Sequence, residues 1–232
     1  AFFDCIYLQD ATAGINAFPV AGNFRVGDKV RITGTTSSYQ GERQIAVTEI
    51  ELISEGNADK AVEITANELN DGSKLGSLVT MSGTVESFDY ANGLVQTIMV
   101  TDAEGNVGRV FIDGYITTGY DVENLAVGAA ITVTGLASYD NSFDGPAPRI
   151  RIRDRHDVIV TVDPASFEDV SADDWFYDAV CAMAESGIMI GKDETHFDPN
   201  ASLTRGEWVT LLYRVAGSPA VDEPCTFTDV PA

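Results

Sequence analysis

Bases, cysteines and long apolar runs are scarce in this sequence, and each shortage excludes something. Against 36 acidic residues stand 14 lysines and arginines and 2 histidines, a net charge of −22 over 232 residues. A field of that sign repels nucleic acid and anionic lipid at long range and keeps a chain soluble, while saying nothing of its fold. Cys5, Cys181 and Cys225 are odd in number and share no ligand spacing, which excludes a disulfide scaffold and a zinc site. His156 and His196 lie far apart with no cysteine or histidine beside them, so no metal site is expected. No apolar run is long enough to span a bilayer, so no membrane insertion is expected. Gly-x-Ser-x-Gly, P-loop and His-Glu-x-x-His patterns are missing, and paired carboxylates in so acidic a chain single out nothing. No catalytic residue stands out, and the segment is expected not to be an enzyme. Asp140-Asn-Ser-Phe-Asp-Gly145 sets oxygen ligands near a glycine without EF-hand spacing; it reads as a turn, with weak calcium binding the alternative and no other cofactor expected.

What is present is repetition. Val26-Gly-Asp-Lys-Val-Arg-Ile-Thr-Gly34, followed by Ser38-Tyr39, returns as Val127-Gly-Ala-Ala-Ile-Thr-Val-Thr-Gly135 followed by Ser138-Tyr139. Upstream, Ile6-Tyr-Leu-Gln-Asp10 aligns with Ile98-Met-Val-Thr-Asp102, and each copy then turns on a glycine, Gly14 or Gly105. The chain therefore holds two copies of one β-rich module. Period-two alternation places strands in the second copy at Leu78–Phe88, Leu94–Thr101, Gly108–Ile112, Ala130–Ala137 and Arg149–Val160, with room for a short helix in Tyr115–Leu125. Five strands in that layout predict an OB-fold barrel. The first copy has no counterpart to Leu78–Phe88, and a barrel short of a strand leaves an unpaired edge. That strand is expected upstream of Ala1 or from residues 61–69.

The last third differs in kind. Residues 163–232 hold 14 acids and 3 bases, against 11 and 6 in residues 1–75 and 11 and 5 in residues 76–162. Phe176, Ala179, Val180 and Met183 fall at i, i+3, i+4 and i+7, an amphipathic helix stopped by Gly187. Trp208, Leu211, Leu212 and Val215 line one face of a second helix. Thr204 and Glu207 have capping-box spacing, flanked by Leu203 and Trp208 as a hydrophobic staple. Two helices in so short a stretch cannot bury both faces alone, and the pattern asks for stacked neighbours. Arg205 stands at the first helical position, where the macrodipole disfavours a cation. Either it pairs with a neighbouring carboxylate, or it joins the helix-start amides in gripping an anionic ligand.

Residues 167–216 resemble one complete S-layer homology repeat through Phe167, Asp169, Val170, Trp175, Ala179, Gly187-Ile188, Gly191, Phe197, Pro199 and Leu203-Thr-Arg-x-Glu207. Phe227-x-Asp-Val-x-Ala232 repeats the opening Phe167-x-Asp-Val-x-Ala172, so 227–232 read as the start of a second repeat with more expected downstream. The two β modules resemble OB-like modules of secreted bacterial surface proteins and extracellular nucleases. The resemblance implies a multidomain, mainly β chain: a first OB-like module at 1–75, apparently lacking its first strand, a second at 76–162, and a small α-helical repeat region at 163–232. It further implies a secreted protein of a Gram-positive type cell wall, anchored by anionic, pyruvylated wall polysaccharide. Carried over by position, the ligand-binding residues are Arg205, with Trp175, Asp174 and Gly187. Gly206 stands where the family usually has alanine, and Asp174 where histidine is common.

One run stays outside the resemblance. Arg149, Arg151, Arg153 and Arg155 alternate, so on a regular strand they share a face. They form either a solvent-facing strand countered by nearby acids or a groove for an anionic polymer. The function expected is thus a non-catalytic surface segment whose OB modules act as spacers or ligand-binding units. The alternative is an OB pair that binds nucleic acid or oligosaccharide for an upstream extracellular hydrolase, and a third reading is a structural tandem in a surface lattice.

Overall fold

The structure, a computed structural model, describes residues 5–57, 60–114, 116, 121–122, 124–142, 144–161, 167–193 and 195–216. The expected start of a second repeat at 227–232 lies outside the described residues, as does much of the helix expected within Tyr115–Leu125.

The first module is a four-stranded sheet. Its strands are β1 (Ile6–Gln9), β2 (Gly14–Phe18), β3 (Lys29–Tyr39) and β4 (Glu42–Ser54), in the order β1-β2-β4-β3 with β2 and β4 parallel. The second module adds β5 (Val62–Glu63), helix α1 (Ala66–Asn70), β6 (Leu78–Ala91), β7 (Leu94–Thr101), β8 (Val107–Phe111), β9 (Ala130–Tyr139), β10 (Pro148–Arg151) and β11 (Val158–Thr161). Strand β6 pairs with both β7 and β9, which closes β6-β7-β8-β10-β9 into a five-stranded barrel, and β8 runs parallel to β10. The hairpin between β6 and β7 turns on Asn92-Gly93, both at positive φ as the right-handed strand twist requires.

The two sheets share an order. In the barrel, β7-β8-β10-β9 repeats β1-β2-β4-β3, parallel pair included, and β6 is the addition. Among the described residues no strand bridges β1 and β3. The repeated glycine has one physical reason in both copies: a Cβ at Gly34 would strike Ala46 on β4, and one at Gly135 would strike Arg151 on β10. The strand crossing at that point leaves no room for a side chain.

Two strand expectations are corrected. Residues 61–69 do not complete the first module: Val62–Glu63 pairs with β6, and Thr65 with Glu68 makes a capping box that starts α1. Ile64, Ala66 and Leu69, inside the expected 1–75 module, pack in the second barrel's core, and Ala66 N donates to Asp102 Oδ2 at 2.8 Å. The strand expected over Arg149–Val160 is broken into β10 and β11 by one 3-10 turn at Arg155–Asp157, capped by Asp154.

The barrel holds the molecule's main core. Val79, Met81, Ile98, Val100, Val110, Ile112, Val133, Ile150 and Ile152 are fully buried, as alternation on a closed sheet dictates. The first sheet is thinly covered, with Phe18, Tyr39, Leu52 and Ile53 exposed. It leans on the barrel: Cys5 and Tyr7 pack against the barrel core, and Leu78 N donates to Gln9 Oε1 at 2.6 Å.

The last unit has a small core of Phe167, Val180 and Ala184, edged by Val170, Phe176 and Phe197. Its helices are α2 (Tyr177–Glu185) and α3 (Arg205–Val215). The buried face of α2 is Val180 and Ala184, with Ala179 exposed and Met183 37% exposed, a rotation from the expected face. Asp169 ties the unit's loop, its carboxylate accepting from Phe197 N at 2.9 Å and Asp198 N at 2.7 Å. Nothing on α3 is buried, and Trp208, Val209, Leu212 and Val215 are exposed. Of the apolar stripe expected to need neighbours, Trp208, Leu212 and Val215 are thus uncovered among the described residues, while Leu211 is half-buried.

Candidate functional site

Helix α3 begins as its sequence demands. Thr204 Oγ1 accepts from Glu207 N at 3.2 Å, and Glu207 Oε2 accepts from Thr204 N at 2.6 Å. The Thr204 amide, and after it the Thr204 side chain, hold the Glu207 carboxylate below its ordinary value, since the charged form is the one they favour. Arg205, the residue after the cap, is exposed and has no ion-pair partner among the described residues. The neighbouring carboxylate of the bland expectation does not appear there.

The other residues expected around a ligand are spread out. Trp175 is 93% exposed and stands edge-on to Phe176 at 5.5 Å. Asp174 Oδ2 accepts from Ser171 N at 2.8 Å, a capping turn ahead of α2. Gly187 ends α2 at φ +66°, and an added Cβ would strike the side chain of Ile159 on β11. Its glycine is thus explained twice, by the left-handed helix end and by the close approach to the barrel. No described hydrogen bond, ion pair or ring contact joins Arg205 to Trp175, Asp174 or Gly187.

The arginine run is not one face. Arg149 is buried, pairs with Asp140 at 2.7 Å, donates to Ser138 Oγ at 3.1 Å and lies 4.3 Å over the ring of Phe111. Burial pushes the Arg149 guanidinium's pKa down, and it also pulls Arg109 on β8 to about 10, with Arg149 adding to that effect. Arg151 pairs with Asp113. Arg153 forks onto Asp157, Nη2 to Oδ1 at 2.7 Å and Nε to Oδ2 at 3.0 Å. Arg155 is 3% exposed and donates to Asp121 at 2.7 Å, Val95 O at 2.9 Å and Ile116 O at 3.1 Å. Each guanidinium has its own aspartate, because the strand ends at Arg151 and the 3-10 turn swings the last two away. Nearby acids counter all four, yet two of the four are buried, not solvent-facing.

Sequence reasoning missed a cleft of about 290 Å³ where the barrel meets the helical unit. Arg153, Arg155 and Asp157 line it from the barrel, and Gly187, Ile188 and Arg214 from the unit. Arg214 sits in the last turn of α3 and its Nη1 donates to Ile188 O at 3.2 Å. Its position reads in sequence as an ordinary cation at a helix end, so no local pattern marked it.

Residues 166–207 match the family model of the S-layer homology domain. The chain is 49% identical over 47 residues to the surface-layer 125 kDa protein of Lysinibacillus sphaericus, which spans 20% of this chain and 4% of that protein. It is 37% identical over 54 residues to the S-layer protein of Bacillus thuringiensis subsp. finitimus, spanning 23% of this chain and 7% of that one. Among solved structures, the Stn1-Ten1 complex of S. pombe aligns at 20% identity with a TM-score of 0.28, over 38% of this chain and 60% of that one. A score so low carries no argument. The family match and the two relatives mark a secreted, cell-surface protein associated with the cell wall.

Proposed function

We propose that the S-layer homology domain holds this surface protein to the wall by binding anionic, pyruvylated polysaccharide non-covalently. The observation that carries the reading is Arg205: an exposed guanidinium beside a capped helix start, without an ion-pair partner among the described residues. Such a cation is disfavoured by the macrodipole unless an anion joins it. Trp175, almost fully exposed, is suited to stacking on a sugar ring. Asp174 serves the turn before α2, so its charge need not face the ligand.

The two β modules act as OB-like spacers or ligand-binding units. The barrel order β6-β7-β8-β10-β9, with its parallel β8–β10 pair, supports the OB-like reading. A nucleic-acid or oligosaccharide groove for an upstream hydrolase finds less support. The arginines that motivated it are each paired with an aspartate, in a chain of net charge −22.

Co-sedimentation with purified cell walls tests the anchor. Wild type is expected to pellet with walls that keep their pyruvyl groups and to stay in solution with walls stripped of them. Arg205→Ala is expected to lose most of the pelleted fraction. Equal retention of both proteins on both kinds of wall would overturn the role of Arg205.

A further inference from the structure

We propose that the open side of the first sheet, between β1 and β3, is a receptor for one extended polypeptide strand with the pattern of β6, reaching it from outside these 232 residues. The internal repeat supplies the template. Residues 29–34 correspond to 130–135, and residues 6–9 to 98–101. In the barrel, β6 bridges those two segments by pairing with β9 and β7. In the first sheet, β3 pairs with β4 alone among the described residues, and residues 33–38 are exposed. The strands that follow in sequence are committed elsewhere: β5 pairs with β6, and β6 closes the barrel.

Burial marks what the sheet has yet to gain. Ile98 and Val100 on β7 and Ile131 and Val133 on β9 are buried inside the barrel that β6 closes. Their counterparts Ile6, Leu8, Val30 and Ile32 are only half-buried. The same inward positions therefore still hold apolar surface that an added strand would remove from water. Beyond Arg31, residues 32–39 carry neither a charge nor a proline, two of the devices that keep a permanent edge from pairing. Such an edge takes an added strand through main-chain groups, while alternate side chains decide which strand fits.

The template also sets the partner's chemistry. On β6, Val79, Met81 and Val85 stand opposite Gly135, Val133 and Val100. The donor thus places apolar residues opposite Gly34, Ile32 and Leu8, and a slip of one residue would turn them all to solvent. Between the last two comes Gly83, where an added Cβ would strike Thr101 O and Val100 Cγ1. The donor needs a glycine at the same place, opposite Val30, where it passes from β3 to β1. The partner is a strand apolar at alternate positions around one glycine.

The test adds a synthetic peptide with the sequence of residues 78–91 to the whole chain and follows amide hydrogen exchange by NMR. Bound peptide is expected to slow the exchange of β3 amides by about tenfold or more. Exchange on β7 and β9 should stay as it was, since the barrel keeps its own β6. Peptides carrying Gly83→Val or Met81→Asp are expected to lose that protection, the first by collision and the second by a charge set against Ile32. Both changes lie in the peptide, so the folding of the chain is untouched. No protection of β3 at about 1 mM peptide, equal protection by either altered peptide, or protection confined to β7 and β9 would overturn the proposal. Light scattering of the chain alone tests the other occupant: a dimer with β3 amides already protected would assign the edge to a second copy and overturn it too.

Discussion

At the scale of single residues, the same charge pair has opposite consequences depending on where it stands. Arg155 and Asp121 have side chains 2% and 27% exposed, and the guanidinium has no water to fall back on. Asp121→Ala is expected to destabilise the barrel by about 3–5 kcal/mol, because it leaves a buried charge without its counterion. Arg31 and Glu51 form a pair at the same 2.7 Å, but with side chains 70% and 58% exposed. Arg31→Ala is expected to change stability by less than about 1 kcal/mol. Urea unfolding midpoints of the two variants check both, and a similar small loss in each would show that Arg155 finds another partner. Sequence alone could not tell these arginines apart. Alternation made Arg149 to Arg155 look like one set, and only the end of β10 at Arg151 and the turn at Arg155–Asp157 separate them.

At the scale of elements, the legible parts were those governed by local chemistry. The Leu94–Thr101 strand stands where alternation put it, and the α3 start follows from Thr204 and Glu207. The buried face of α2 was misplaced by one position, since Val180 and Ala184 point at Phe167 and no local rule reveals which residue waits across the core. Gly187 was legible as a helix stop, but its contact with Ile159 joins segments distant in sequence. That contact yields a coupled prediction. Gly187→Ala should cost about 1–2 kcal/mol for the left-handed conformation alone, and more for the collision. Ile159→Ala removes the obstacle, so the double variant should be less destabilised than the sum of the singles by about 0.5 kcal/mol or more. Melting of all four proteins checks this, and strict additivity would mean that helix end and barrel do not press on each other.

At the scale of the whole molecule, the repeat is what the sequence showed most clearly and what the structure makes most use of. One sheet order serves twice, open in the first module and closed by β6 in the second. The open sheet compensates by resting on the barrel, and the contact carries a polar knot that no periodicity announced. Tyr7 donates its hydroxyl to Glu42 Oε1 at 2.8 Å, while Arg149 and Arg151 of the barrel act on the same carboxylate. Burial raises the Glu42 pKa above its ordinary 4.5, outweighing the Tyr7 hydrogen bond and the two arginines, which pull it down. Burial likewise pushes the Tyr7 hydroxyl up. The folded state therefore holds the Glu42 proton more tightly than the unfolded chain does. The stability this gives is fully present below pH 4.5 and is lost as pH rises through the folded value. At neutral pH the ionised carboxylate remains half-buried at a cost, which Glu42→Gln removes while keeping an acceptor for Tyr7. The melting temperature of Glu42→Gln minus that of wild type should thus be most positive at neutral pH and should shrink as pH falls toward 4.5. Taking the difference cancels the depressed carboxylates elsewhere, such as Asp102 and Asp169, whose contributions run the other way. Calorimetry across that range checks the trend. A gap that stays constant with pH would mean that Glu42 titrates as it does in the unfolded chain, and that the join between the modules does not sense its proton.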